Sequence, residues 1–224
     1  MKLELIAQDI DEAKLLEDLG ADRLELVTGM GEGGLTPSHG LIKQVAQNIK
    51  IPVNVMLRSR GGYSTSEEDL KVNLADLEWI KECGLNGAVF GWLLDNGELN
   101  MPAIKAVVEN KGKLELTLHR CIDSVNNYEE SIQQLKGLPL ARILSSGHLP
   151  SIIDGAKNLD MAKKELPGVI FLAGGGLRIN NLKEFVTTYH PAEVHMGSAT
   201  HVDGDYTKPI DPARVKQLVD IIKG

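Results

Sequence analysis

The stretch L-T-L-H-R-C-I-D, Leu116 to Asp123, reads as a β-strand that ends in four chemically capable side chains, His119, Arg120, Cys121 and Asp123. An imidazole and a nearby carboxylate can orient one another for general acid–base work. A guanidinium offers a rigid fork to paired anion oxygens, and a thiol is a soft ligand suited to Cu(I). Other stretches are similarly equipped. M-L-R-S-R-G-G-Y places Arg58 and Arg60 beside two glycines, and R-I-L-S-S-G brings Ser145 and Ser146. A-G-G-G-L-R carries Gly174, Gly175 and Gly176, and H-M-G-S ends in Ser198. Glycine-rich turns of the last two kinds let backbone N–H groups reach a phosphate.

What must position these residues is an alternation of short β-rich runs with longer amphipathic segments. The runs predict strands over Lys2–Ala7, Arg23–Val27, Pro52–Leu57, Gly87–Gly91, Leu114–His119, Arg142–Ser146, Val169–Ala173 and Glu193–Gly197. Helical patterns follow each of them. Asp9–Leu19 stops at Gly20, Ser66–Cys83 opens on S-E-E-D and stops at Gly84, and the last runs from Asp211 to Lys223. Eight strand–helix pairs in 224 residues point to one domain over residues 1–224, an α/β fold of the (β/α)8 TIM-barrel type. A doubly wound open sheet is the competing architecture.

Strand parity sharpens the choice. Leu3, Leu5, Leu24, Leu26, Val53, Val55, Leu57, Leu116 and Leu118 form an apolar, helix-facing set. The opposite parity is lumenal and contains Glu4, Glu25, Asn54, Arg58, Glu115, Thr117, His119, Glu193 and His195, far more polar than the branched aliphatic layers common in such barrels. Arg120 has the opposite parity to His119. Active sites of these barrels lie at the C-terminal strand ends. The expected mouth therefore gathers Glu25, Arg58, His119 and Asp123 as catalytic candidates, with Arg60, Arg120, Ser145, Ser146, Gly174, Gly175, Gly176 and Ser198 for a bound anion. In that scheme Glu25 or His119 moves a proton and Arg58 stabilises developing negative charge. The glycine-rich stretch T-G-M-G-E-G-G-L-T-P-S after the second strand is a flexible loop over the same end. The alternative is a purely structural ion-pair network filling the lumen.

A formal net charge of −7, without a basic block, argues against nucleic acid or an anionic membrane as partner. No stretch reads as a signal peptide or a membrane span, so the expected location is cytoplasmic. Two cysteines, Cys83 and Cys121, make neither a disulfide framework nor a C-x-x-C motif.

The chain resembles the CutC family of copper homeostasis proteins. The resemblance runs through G-A-D-R-L-E-L at Gly20–Leu26, E-G-G-L-T-P-S at Glu32–Ser38, V-M-L-R-S-R-G-G at Val55–Gly62 and G-A-V-F-G at Gly87–Gly91. It continues through L-H-R-C-I-D at Leu118–Asp123, R-I-L-S-S-G at Arg142–Gly147 and A-G-G-G-L-R at Ala173–Arg178, in order over nearly the whole chain. It implies a cytoplasmic, homo-oligomeric TIM-type barrel that binds or traffics Cu(I) through cysteines. Many relatives carry Cys where this chain has Val27, and some where it has Ile6 and Ala7. Cys121, the thiol of the opening stretch, sits where the family pattern requires none, so a copper site would draw on Cys121, His119 or a methionine such as Met30 or Met196. The resemblance puts copper homeostasis first; the alternative is a lyase, isomerase or hydrolase acting on a small anionic, phosphorylated substrate at the barrel mouth, and a barrel that binds such a ligand without turnover is a third reading.

Overall fold

The computed structural model describes residues 1–224. In chain order the strands are β1 (Lys2–Ala7), β2 (Arg23–Leu26), β3 (Val53–Met56), β4 (Gly87–Phe90), β5 (Glu115–Leu118), β6 (Arg142–Ser145), β7 (Ile170–Gly174) and β8 (Glu193–Met196). The helices between and after them are α1 (Ile10–Asp18), α2 (His39–Asn48), α3 (Glu67–Glu82), α4 (Met101–Asn110), α5 (Tyr128–Gln134), α6 (Ile152–Glu165), α7 (Ile179–Tyr189) and α8 (Pro212–Lys223). Every strand pairs in parallel with its sequence neighbours, and β8 closes on β1 through Leu3↔Val194 and Glu4↔His195. The ring is the expected (β/α)8 barrel, not an open sheet.

Local chemistry starts the helices where the capping residues predict. Ser66 Oγ accepts from Asp69 N (3.1 Å) while the Asp69 carboxylate accepts from Ser66 N (3.0 Å), a reciprocal box at the head of α3. Ser38 caps α2 through Leu41 N, and Asp9 caps α1 through Glu12 N. No helix is long and apolar enough to cross a membrane.

Parity divides the interior in two. All nine helix-facing residues named from the sequence lie in one buried apolar cluster between the barrel and its helices. A separate patch of Ile6, Val27, Met56 and Val89, with Met30 and Tyr206 against it, fills the upper lumen. Below and beside that patch the lumen is ionic. Arg23 bridges Glu4 and Glu193, and Arg142 bridges Glu193 (Nε to Oε2, 2.9 Å) and Glu115 (2.6 Å). A buried carboxylate costs several kcal/mol unless paired, so this ladder is the condition on which the polar lumen can exist.

Candidate active site at the barrel mouth

A cavity of ≈ 360 Å³ opens at the C-terminal ends of the strands. Its floor carries Glu25 from β2 and His195 from β8, and its walls carry His119 and Arg120 from the end of β5 and Arg58 and Tyr63 from the third loop. Gly175, Gly176, Leu177 and Arg178 after β7, Gly197 and Ser198 after β8, and Tyr206 further along the last loop complete the rim.

The floor is an acid–imidazole–acid row. His195 Nδ1 lies 2.8 Å from Glu4 Oε1, and its Nε2 lies 3.7 Å from Glu25 Oε2. All three side chains are buried. Burial pushes Glu4 upward, but the Arg23 guanidinium and the His195 hydrogen bond outweigh it and hold the carboxyl at about 2. Glu4 is thus a fixed anion that accepts the Nδ1 proton and turns Nε2 of His195 toward Glu25. Burial raises Glu25 to about 7, partly offset by His195 and reinforced by Glu4. Burial works against the charged imidazole of His195, yet the carboxylates of Glu25 and Glu4 raise it above its ordinary value. Glu25 Oε1 has no hydrogen-bond partner. A buried carboxyl that titrates near neutrality and keeps one oxygen free is equipped to take and return a proton.

His119 has a different character. Its Nδ1 accepts the N–H of Cys121 (3.1 Å), which places the ring proton on Nε2. Burial, followed by the charge of Arg58, lowers it to about 3, so the ring is neutral at physiological pH. Tyr63 packs on the imidazole with ring centroids 5.3 Å apart. Nε2 has no partner.

Arg58, expected to stabilise developing negative charge, instead clasps the backbone. Its Nε donates to Gly62 O (2.8 Å), one terminal nitrogen to Gly33 O (3.1 Å) and Gly34 O (2.9 Å), and the other to Glu32 O (2.9 Å). Four of its five N–H donors are consumed in tying the glycine-rich second loop to the third, which gives that loop a fixed course over the mouth. Arg60 lies outside the mouth on exposed surface, paired with Asp69 at 3.0 Å.

Asp123 does not orient His119. It accepts from Arg120 Nε (3.0 Å), Ser145 Oγ (2.6 Å), Ser146 N (2.8 Å) and Oγ (2.9 Å), and His148 N (3.1 Å). Asp123, Ser145 and Ser146 thus form a knot beneath the rim that holds the fifth and sixth loops together, and none of the three lines the cavity. Arg120 does line it, against the expectation from parity. The strand ends at Leu118, and Arg120–Ser124 form a 3₁₀ turn, so period-2 alternation no longer applies. The Arg120 guanidinium lies against Gly175, where a β-carbon would sit 2.8 Å from Cζ, and the positive φ of Gly175 itself favours glycine there.

Gly174 is the last residue of β7 and is not part of the lining, whereas Gly175 and Gly176 are, both with positive φ (93° and 87°). The N–H groups of Gly175, Gly176 and Leu177 donate to no acceptor within the protein. Three successive free amides beside Arg120 and Arg178 suit an anion.

Cys121 is fully buried beneath Gly91, where a β-carbon would lie 2.4 Å from its sulfur. Burial and the charge of Asp123 push its thiol far up, so it stays protonated. It is absent from the cavity lining, and Cys83 caps the C-terminus of α3 on the outer wall. The thiols therefore do not fit a Cu(I) site. Met30, Met56 and Met196 do line the cavity, with His119 and His195. Residues that sequence reading left out are Arg23 and Arg142, whose lumenal parity was available as a signal, and Tyr63, Arg178 and Tyr206, for which spacing gives none.

The fold and the mouth define a single-domain (β/α)8-barrel protein whose site couples a buried acid–imidazole floor to an amide-rich rim. The chain belongs to the CutC family, whose model matches residues 1–200. A CutC family protein of Proteus mirabilis is 37% identical over 99% of this chain and 96% of its own length. The copper homeostasis protein cutC homolog of Drosophila melanogaster is 33% identical over 93% of this chain and 81% of its own. The crystal structure of the CutC protein of Streptococcus agalactiae superposes with a TM-score of 0.80 at 26% identity, covering 88% of this chain and 98% of that one. Phosphoribosylanthranilate isomerase of Thermotoga maritima shares the fold alone, with a TM-score of 0.69 at 11% identity over 100% of this chain and 99% of its own.

Proposed function

We propose that this CutC family member is a proton-transfer enzyme acting on a small anionic, phosphorylated substrate at the barrel mouth. One observation carries the reading: the buried Glu25 carboxyl keeps one oxygen unpartnered in a cavity, 3.7 Å from an imidazole that a second carboxylate orients. The ladder carboxylates Glu4 and Glu193 are each paired with an arginine, whereas Glu25 has no arginine partner. The anion is held by the free amides of Gly175–Leu177 with Arg120 and Arg178. Glu25 takes the proton and His195 adjusts the charge beside it. Calorimetry with ribose 5-phosphate and inorganic phosphate tests the anion seat. Binding that weakens about tenfold or more in Arg178→Ala supports it, at a cost typical of one charge-assisted hydrogen bond. No binding of either compound overturns it.

A second reading follows from the copper homeostasis name of the fruit-fly relative. Met30 Sδ and Met56 Cε both lie over Gly34, 3.7 and 3.4 Å from where its β-carbon would stand, and Met196 and His195 share the cavity. Thioether and imidazole are Cu(I) ligands, and here Cu(I) would be cargo. An anaerobic Cu(I) titration against a competing chelator tests it. Affinity lost in Met30→Leu/Met196→Leu but kept in Cys121→Ser supports the thioether site, and affinity unchanged in both removes it.

A further inference from the structure

Glu25 Oε1 and His119 Nε2 are buried polar atoms without partners, and both residues line the mouth cavity. They are complementary. The first is a proton acceptor, and the second, by the Cys121 N–H bond to Nδ1, is a neutral donor. Resting on the proton-transfer reading above, we infer that the mouth enolises a small phosphorylated α-hydroxycarbonyl compound, with Glu25 as base at carbon and His119 as donor to the carbonyl oxygen.

The chemistry follows from what one molecule must present to satisfy both groups. It must offer Glu25 a removable proton and His119 an oxygen lone pair, close together, with the anion at the Gly175–Leu177 amides. An α-hydroxycarbonyl phosphate meets all three conditions. Glu25 takes the proton from the hydroxyl-bearing carbon, the C–H electron pair becomes a C=C bond, and the carbonyl π pair moves to oxygen, where Nε2–H holds it. Glu25 then returns its proton to the former carbonyl carbon. The hydroxyl proton passes between the two oxygens through Nε2, and the product is the isomeric hydroxycarbonyl. No net oxidation occurs and no co-reactant is consumed.

The neutrality of His119 is built in. Its Nδ1 is occupied by a backbone donor, its ring packs against Tyr63, and the Arg58 guanidinium lies 5.4 Å from the centre of that Tyr63 ring, where its charge opposes a second cation. A neutral imidazole is a weak acid matched to an enediol, and it donates without competing with Glu25 for the proton. Both groups sit in a cavity of ≈ 360 Å³, within the usual range of about 300–1,000 Å³ for small-ligand sites.

The test is proton exchange in D₂O, followed by NMR, with dihydroxyacetone phosphate and ribulose 5-phosphate as substrates and glycerol 3-phosphate as the non-enolisable control. Wild-type protein is expected to exchange the α-hydrogen of at least one of the two. Exchange should vanish in Glu25→Gln and fall about 100-fold or more in His119→Gln, while both variants still bind glycerol 3-phosphate. Binding without exchange in wild type overturns the enolisation while leaving the anion seat standing, and absence of binding overturns both. Exchange within threefold of wild type in His119→Gln overturns the role of His119 alone. Should that variant fail to fold, ¹⁵N NMR of the wild-type ring decides the same point. A neutral Nε2–H imidazole from pH 5 to 9 is expected, and an imidazolium or an Nδ1–H tautomer overturns the assignment.

Discussion

His195 Nε2 stands 3.7 Å from Glu25 Oε2, just beyond hydrogen-bond reach, while Nδ1 of the same ring is bound at 2.8 Å to Glu4. One ring nitrogen is committed and the other is held in readiness beside a carboxyl that titrates near 7. This asymmetry separates the site from the ladder beneath it.

A pH dependence of stability follows. Burial raises Glu25 from an ordinary 4.5 to about 7, so its contribution is fully present below about pH 4.5 and is lost as pH rises through 7. His195, also raised, acts in the same direction through its own titration. Wild type is therefore less stable toward urea at pH 8 than at pH 5.5. Glu25→Gln removes most of that slope and is more stable than wild type at pH 8 by up to about 3 kcal/mol, since each tenfold change in proton affinity on folding is worth ~1.4 kcal/mol. A wild-type stability that stays flat between the two pH values contradicts this.

Arg23 is the keystone of the ladder, joining Glu4 to Glu193 with its side chain only 3% exposed. Arg23→Met leaves two buried carboxylates short of a partner and is expected to cost about 3–5 kcal/mol in urea denaturation. Arg60→Met, which removes an exposed pair with Asp69, should leave the midpoint unmoved. Equal effects of the two substitutions would show that the lumenal pairs carry no special weight.

Iodoacetamide labelling followed by mass spectrometry reads the state of Cys121. The thiol lies under Gly91, fully buried and protonated, and should be labelled in the native protein at least about 100-fold more slowly than in urea. Cys83 serves as the half-buried reference in the same sample. Rapid native labelling of Cys121 would restore the thiolate to consideration as a metal ligand.

Arg58→Ala deprives the carbonyls of Glu32, Gly33, Gly34 and Gly62 of their donor. Hydrogen–deuterium exchange of residues 29–36 should accelerate, and stability should fall by about 1–3 kcal/mol, with the helix amides little changed. If exchange in that loop is untouched while anion binding is lost, Arg58 grips the ligand and the clasp is secondary.

Consecutive residues alone specify the alternation of eight strands and eight helices, the helix-facing apolar set and the polar character of the lumen. Periods of 2 and 3.6 are local properties that the chain carries along its length. The chemistry at strand ends is legible for the same reason, because each loop follows its strand directly. Which polar groups meet is settled by closure of the barrel. Glu4 and His195 are 191 residues apart, and Arg23 and Glu193 are 170 apart, and that closure makes them neighbours. Parity names a face and not a partner. Hence Glu25 faces His195 and not Arg58, Asp123 binds Ser145 and Ser146 and not His119, and Arg120 turns inward once the strand gives way to a 3₁₀ turn. The four residues that end L-T-L-H-R-C-I-D part company there: His119 and Arg120 line the cavity, Asp123 knots two loops together, and Cys121 is core.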